Sequence, residues 1–470
     1  LHCSRIPENY TEPLIHRDSK EAVVKRLPAS LFFAVTFIFC ATLFADDTLP
    51  GLKPDRFSLS GYGSFVNTRV VHFKYKGTDN PPEWFSNVVL NLVMNMKFSE
   101  HFTGHIGIEG YTYQNTVPYG SYYIQKDYQF MYWTMYPHQI EGDYSFGDKT
   151  VFGGEVGVGL FPYKYNPDAW NLGEYLFRSG TYPGYLITNF DQAWPRLTGI
   201  RLSTTAFGTW HNDLLLTKEM EMPPYGDGTI TWISDISFLH AIDIGAGVSF
   251  SHYLSVNENL TTPKNQLADT GKIDTISHDT TWYTFKGIKT MFRLSIDPKG
   301  FFEGSSIASL FGKEDLKIYG EVAILGLQNY DTCYSKLSER MPVMFGFNFP
   351  AFKLLDVLSG QLEYYGSPYP NDYEIILPSQ GLSSTPGGIA APVRFAQRGT
   401  YTMDVYRHDN WKWSIYANRF FGKEKHFGII AQAARDHWRT YTTYQNQRDY
   451  EEALTTTKQW YWATKAVVIF

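Results

Sequence analysis

Beyond residue 45 the 470-residue sequence has no run of about 20 apolar residues, which excludes a membrane-crossing helix from the body of the chain. Cysteine is scarce: Cys3, Cys40 and Cys333 are the only three. Cys333 is the only one after residue 45, too few for an internal disulfide or a thiolate metal cluster. No basic excess exists either. With 41 Lys and Arg against 47 Asp and Glu the net charge is −6, and nothing marks a nucleic-acid partner. HExxH, GxSxG and a glycine-rich phosphate loop are missing, and the 13 histidines are scattered. The sequence therefore offers no catalytic, cofactor-binding or metal residues, and the expectation is a non-enzyme without a cofactor.

What is abundant is aromatic side chain, 17% of the chain with 34 Tyr and 34 Phe, together with 39 glycines. From Phe57 onward these fall in a period of two. In Asn87 to Phe98, Val88, Leu90, Leu92, Met94, Met96 and Phe98 take one face, and Asn87, Asn91, Asn95 and Lys97 the other. A turn at Ser99-Glu100-His101 leads into Phe102, Gly104, Ile106 and Ile108 opposite His105 and Glu109, a hairpin. Strands are expected near 57–73, 86–98, 102–116, 125–145, 150–162, 195–207, 210–220, 228–239, 242–256, 281–297, 315–330, 341–351, 357–367, 403–421, 426–440 and 457–470. Ambiguity in 117–149 and 368–402 leaves 14 to 18 strands open.

The links between these strands sort by parity. Those following odd strands are long, among them 163–194, 257–280 and 368–402; those following even strands are short, with 298–314 the exception. Short turns on one side and long loops on the other are the asymmetry of outer-membrane barrels. The fold class expected is thus all-β: a closed antiparallel transmembrane β-barrel of about sixteen strands preceded by a signal peptide. Residues 24–45 carry the address. Lys25 and Arg26 precede an apolar core from Leu27 to Phe44, and Ala45 stands before Asp46-Asp47. An anchoring helix and a lipid-attachment site at Cys40 are the alternatives, the latter disfavoured by Phe39. Residues 1–23 are read as a disordered gene-calling extension, 46–56 as a periplasmic lead-in and 57–470 as the barrel.

Strand parity puts Glu109, Glu155, Arg201, Lys289, Arg293, Lys317, Glu321 and Glu363 opposite the apolar faces, as lumen-lining candidates. On the lipid face an Arg or Lys at the midplane costs roughly 2–4 kcal/mol, so charge belongs inside. In the final strand Trp460, Trp462, Ala466, Val468 and Phe470 share one face, and Tyr461 and Lys465 the other.

Taken together, these segments resemble the Gram-negative porins of about sixteen strands, over roughly residues 50–470. The terminal Phe470, with Val468, Trp462 and Trp460, resembles the C-terminal signal read by the barrel assembly machinery. In such porins the loop after the fifth strand narrows the pore; here that link is 163–194. Pro162 and Pro167 stop strand pairing. Asn171 to Arg178 is expected to form a short helix packed through Leu172, Tyr175 and Leu176, with Asp168, Glu174 and Arg178 projecting to water as constriction candidates. The resemblance implies an outer-membrane location, lipid as surroundings, and passive passage of small polar solutes, sugars among them, with a trimer left open. The competing reading is a closed-lumen barrel whose long loops, 257–280 and 368–402 above all, bind a surface polymer, carbohydrate or protein. Tyr111, Tyr113, Trp411 and Trp413 belong either to an interfacial aromatic girdle or to such a binding surface.

Overall fold

The computed structural model describes residues 56–72, 84–116, 131–177, 196–218, 226–239, 241–254, 286–302, 304–306, 308–327, 336–366, 410–437 and 457–470, with isolated positions between them. The signal-peptide and lead-in expectations for 1–55, and Cys333, lie outside these residues.

Sixteen strands close into one antiparallel barrel. They are β1 (Phe57–Val71), β2 (Trp84–Lys97), β3 (Phe102–Thr116), β4 (Met131–Asp148), β5 (Phe152–Pro162), β6 (Arg196–Ala206), β7 (Trp210–Lys218) and β8 (Gly228–Phe238). There follow β9 (Ile242–Leu254), β10 (Gly287–Ile296), β11 (Ile318–Ile324), β12 (Val343–Asn348), β13 (Val357–Tyr364), β14 (Trp411–Phe421), β15 (Phe427–Arg435) and β16 (Trp460–Ile469). Each strand pairs with its sequence neighbours, and β16 pairs with β1 from Tyr62↔Ile469 to Val71↔Trp460. Reciprocal backbone bonds between Gly61 and Phe470, 3.0 and 3.1 Å, finish the seam. Complete closure rules out the sandwich and propeller arrangements that period-two segments also permit.

The pleat decides which side chain goes where. Outward positions are apolar: Phe65, Ile106, Ile108, Val158, Ile200, Leu216, Trp232, Phe292, Phe345, Leu362, Ile415 and Ile429 are all exposed. Inward positions on the same strands are polar and buried, for example Asn91, Glu109, Ser249, Arg293, Glu321, Gln361 and Lys412. In water this would be an inside-out protein. A closed barrel with an apolar exterior satisfies every ladder group internally, which is what hydrocarbon demands. The barrel is therefore a transmembrane one. Among the described residues no helix is long and apolar enough to cross a membrane.

One irregularity matters for the interior. Pro137 falls inside β4, where it cannot donate to the ladder, and the β3–β4 register shifts between Gly107 and Ile108. Ile108 faces Pro137 while Gly107 faces Gln139, leaving His138 as the extra residue. That bulge sets His138 Nδ1 3.7 Å from the Glu109 carboxylate.

The short links, such as 98–101, 149–151, 207–209 and 422–426, share one end of the barrel, and the long links the other. The exception, 297–317, carries two 3-10 turns, Pro298–Phe302 and Ala308–Leu310.

Candidate pore constriction

The wall of β5 ends at Pro162, and the chain that follows lies inside the barrel. Tyr163, Tyr165, Ala169, Leu172, Tyr175 and Leu176 form one apolar cluster with inward side chains of the wall: Leu215 on β7, Ile233 on β8, Met291 on β10, Tyr319 on β11 and Met344 on β12. Further on, Trp170 stacks on Tyr416 of β14 at 4.9 Å. The segment thus lines the interior from β7 round to β14.

Polar contacts fix it at intervals. Tyr163 Oη donates to Asp213 on β7 at 2.5 Å. Glu321 on β11 gathers four donors: Tyr165 Oη (2.6 Å), Asn166 Nδ2 (2.7 Å), and the backbone N–H groups of Glu174 (3.1 Å) and Tyr175 (2.9 Å). Gln361 Oε1 on β13 accepts from the N–H groups of Asn171 and Leu172 at 2.9 and 3.0 Å. Tyr175 Oη donates to Glu363, 2.7 Å, whose other oxygen meets His437 Nε2 at 2.5 Å. Asn171 Nδ2 reaches Asp436 just past β15 at 2.5 Å. Lys317, immediately before β11, bridges Asp168 (3.3 Å) and Glu314 (2.7 Å).

Two expectations for this segment are corrected. The short helix over Asn171–Arg178 reduces to one 3-10 turn, Tyr175–Phe177. Gly173 and Glu174 have φ of 102° and 60°, left-handed values that stop a right-handed helix before it starts. Asp168 and Glu174 do not project to water; both are buried. Asp168 faces Lys317, and Glu174 turns back to accept from the N–H groups of Tyr165 (3.4 Å) and Asn166. Arg178 lies outside the described residues.

Burial, and then the negative Glu321 beside it, pushes the Glu174 carboxyl up to about 8, against the opposing pull of Lys164 and the two backbone donors. Its ordinary value is 4.5, so between the two the latched segment holds a proton that the released segment gives up. The contribution to latching is complete below 4.5 and is lost as pH rises to about 8. Amide exchange at Tyr165 and Asn166, corrected for intrinsic rate, should show stronger protection at about pH 5 than at about pH 9. Glu174→Gln should abolish that difference; a pH trend that survives the substitution would assign it elsewhere.

The wall not covered by the segment has another character. Arg201 on β6 holds Glu141 (2.9 Å), Asp143 (3.0 Å) and Glu155 (2.9 Å) through one nitrogen, Nη2. Gly157 lies beneath this cluster, where an added Cβ would come within 2.4 Å of Glu141 Oε1 and 2.6 Å of Asp143 Oδ1. Glu109 on β3 accepts from Asn91 Nδ2 (3.1 Å), Tyr62 Oη (3.3 Å) and Tyr136 Oη. On the covered side, Arg293 on β10 pairs with Asp235 of β8 through Nε (2.8 Å) and Nη2 (2.6 Å). The side chains of His105, His138, Glu155, Arg201 and His211 keep between 19% and 43% of their surface exposed, whereas Glu321 and Glu363 keep 2% and none. Water therefore reaches His105, His138, Glu155 and Arg201 on the β3–β6 wall, where Glu109, Glu141 and Asp143 are buried, and the constriction segment covers the wall from β7 round to β14.

Of the residues expected in the lumen, Glu109, Glu155, Arg201, Lys289, Arg293, Glu321 and Glu363 occupy inward positions on β3, β5, β6, β10, β11 and β13, and Lys317 stands one residue before β11. They divide by position: Glu321, Glu363 and Lys317 serve the segment, Glu109, Glu155 and Arg201 lie on the arc away from it, and Lys289 and Arg293 share β10 with Met291 of the segment's cluster. Sequence reasoning overlooked Glu141, Asp143, Asp213, Gln361, Asp436 and His437. The Glu141, Asp143 pair has the period-two spacing that would have flagged it, but Pro137 and its bulge break the parity upstream. Asp436 and His437 follow the end of β15, where no pattern reports orientation. Among the described residues no group of three His, Cys, Asp or Glu is disposed to hold a metal ion.

Neither protein-family models nor curated proteins match this sequence. Solved structures do. A mutant porin of Rhodopseudomonas blastica is 8% identical, over 88% of this chain and 100% of that chain, with a TM-score of 0.40. A second mutant of the same porin is 9% identical over the same shares, TM-score 0.41. Salmonella typhi OmpF in complex with daunomycin is 8% identical, over 89% of this chain and 99% of that chain, TM-score 0.43. The chain is similar to porins. At that distance no role is carried across; the barrel rests on its own strand pairing.

Proposed function

We propose that this chain is an outer-membrane channel for passive diffusion of small polar solutes, narrowed by the segment that begins at Tyr163. One observation carries the reading: residues 163–177 fold into a closed transmembrane barrel and are fastened to its inner wall by apolar packing and side-chain hydrogen bonds. A loop meant only for the outer surface has no reason to be so anchored. The arc from β3 to β6, with the part-exposed Arg201, Glu155 and His138, then forms the polar side of the passage. Solutes crossing it keep hydrogen-bonding partners, and its charges bias which ions pass.

The outward row Trp460, Trp462 and Val468, ending on Phe470, is the part of the seam strand available to the assembly machinery before closure; we assign it that role. A second reading, a closed barrel acting through its long loops, draws support from the burial of Glu321, Glu363, Lys412 and Gln361 along the β11–β14 wall. Planar-bilayer recording separates the two. A channel gives discrete conductance steps with purified, heat-modifiable protein. Silence from such folded protein would sink the channel reading and leave the closed barrel.

A further inference from the structure

We propose that the short-link rim between β4 and β13 is a lipid-contact surface, its apolar turn tips lying in the hydrocarbon edge of the adjacent leaflet and not in the aqueous compartment beyond it.

Turn tips of a membrane barrel ordinarily meet water and are polar. Two tips here obey that: Ser99-Glu100-His101 between β2 and β3, and Lys423-Glu424-Lys425 between β14 and β15. Just above each sits an aromatic pair, Phe98 with Phe102 at 5.3 Å and Phe421 with Phe427 at 5.9 Å. Rings at that level, with charge below, mark the boundary between headgroups and water.

Between β4 and β13 the order changes. The tips carry large apolar side chains beside Lys149 and Lys353: Val151, Phe207, Leu239 and Leu354 are 65%, 73%, 76% and 77% exposed. Phe301 and Leu310 on 297–317, and Phe352 on 349–356, are exposed beside them. The apolar belt runs into this rim through the outward Phe152, Trp210 and Phe238. Lipid is the occupant already established for that belt, and continuity extends it to the tips.

Phe207, Leu239 and Phe352 have φ of 55°, 53° and 48°, in the left-handed region, as do Lys353 and Lys425 at 64° and 57°. The tips are also held in place. Phe207 N–H donates to Val151 O at 3.1 Å, Gly208 N–H to Lys149 O at 3.1 Å, Ser237 N–H to Thr209 O at 3.0 Å, and Asp297 N–H to Ala241 O at 2.7 Å. Laced turn to turn, the rim cannot fold its apolar side chains back onto the barrel. The water boundary thus passes above the tips on the arc through β2, β3, β14 and β15, and beyond them between β4 and β13.

The test uses the full chain with Cys3, Cys40 and Cys333 replaced by Ser. Nitroxide labels are placed through Phe207→Cys, Leu239→Cys and Leu354→Cys, with Glu100→Cys and Lys423→Cys as aqueous references. Each variant is refolded into vesicles of phosphatidylethanolamine and phosphatidylglycerol, and folding is checked by heat modifiability. Collisional relaxation by oxygen relative to a water-soluble nickel chelate should be several-fold higher at the three tips than at the references. Equal ratios at all five positions would overturn the proposal. Tips shielded from both relaxants would also overturn it, pointing to a protein partner. Val151→Cys provides a fourth tip position should one variant fail to fold.

Discussion

Glu321→Ala is expected to release the constriction segment and raise single-channel conductance, with added flicker, while the barrel itself stays folded. Apolar packing alone does not offset the conformational entropy lost when the segment is ordered. Glu321 then decides the outcome, because two carboxylate oxygens satisfy Tyr165 Oη, Asn166 Nδ2 and the N–H groups of Glu174 and Tyr175. Truncation strands all four donors, at about 1–3 kcal/mol each. Glu321→Gln should fall between, since its amide offers one accepting oxygen and sets an NH2 group against the remaining donors. Unchanged conductance and noise in Glu321→Ala would show that the segment is held by packing alone.

Arg201→Met should be the most damaging single change on the opposite arc, destabilising the barrel by about 3 kcal/mol. Three carboxylates converge on Nη2, and Glu141 and Asp143 are buried, so removing the cation leaves mutually repelling charges with little water to screen them. The urea midpoint for unfolding from vesicles reads the loss. Arg201→Lys restores the charge but not the planar geometry, and should recover part of the stability. A midpoint unmoved by Arg201→Met would mean that the three carboxylates do not depend on the guanidinium. Reversal potentials in a salt gradient give a second readout, because Arg201→Met makes the passage more negative and should shift it toward cations.

The strands were legible because hydrocarbon imposes a rule that local sequence can carry. Along Val88 to Phe98 or Trp460 to Phe470, alternate positions must be apolar, and a slip of one residue would set Lys97 or Lys465 in lipid. Sixteen segments read this way correspond to the sixteen strands, with ends displaced by a few residues and more at the starts of β4, β10 and β14 and the end of β11. The interior of the constriction was legible only in part. Leu172, Tyr175 and Leu176 announce an apolar face, and that face is buried. The fate of Asp168 and Glu174 depends on Lys317 and Glu321, about 150 residues along the chain, and on left-handed backbone at Gly173 and Glu174. Helical periodicity contains neither. Pro137 likewise announces an interruption, but not that the bulge would aim His138 at Glu109.

The pairing of β1 with β16 also has a kinetic meaning. Tyr62 and Ile469 are joined across nearly the whole chain, so this contact has a far greater sequence separation than the pairings between neighbouring strands. Until it forms, both β1 and β16 present unpaired N–H and C=O groups, a state that hydrocarbon penalises at every residue. Insertion is therefore close to all-or-none: a fifteen-stranded intermediate has two open edges and no stable place in the bilayer. Deleting β16 should yield an aggregated or degraded chain, and never a slightly narrower pore.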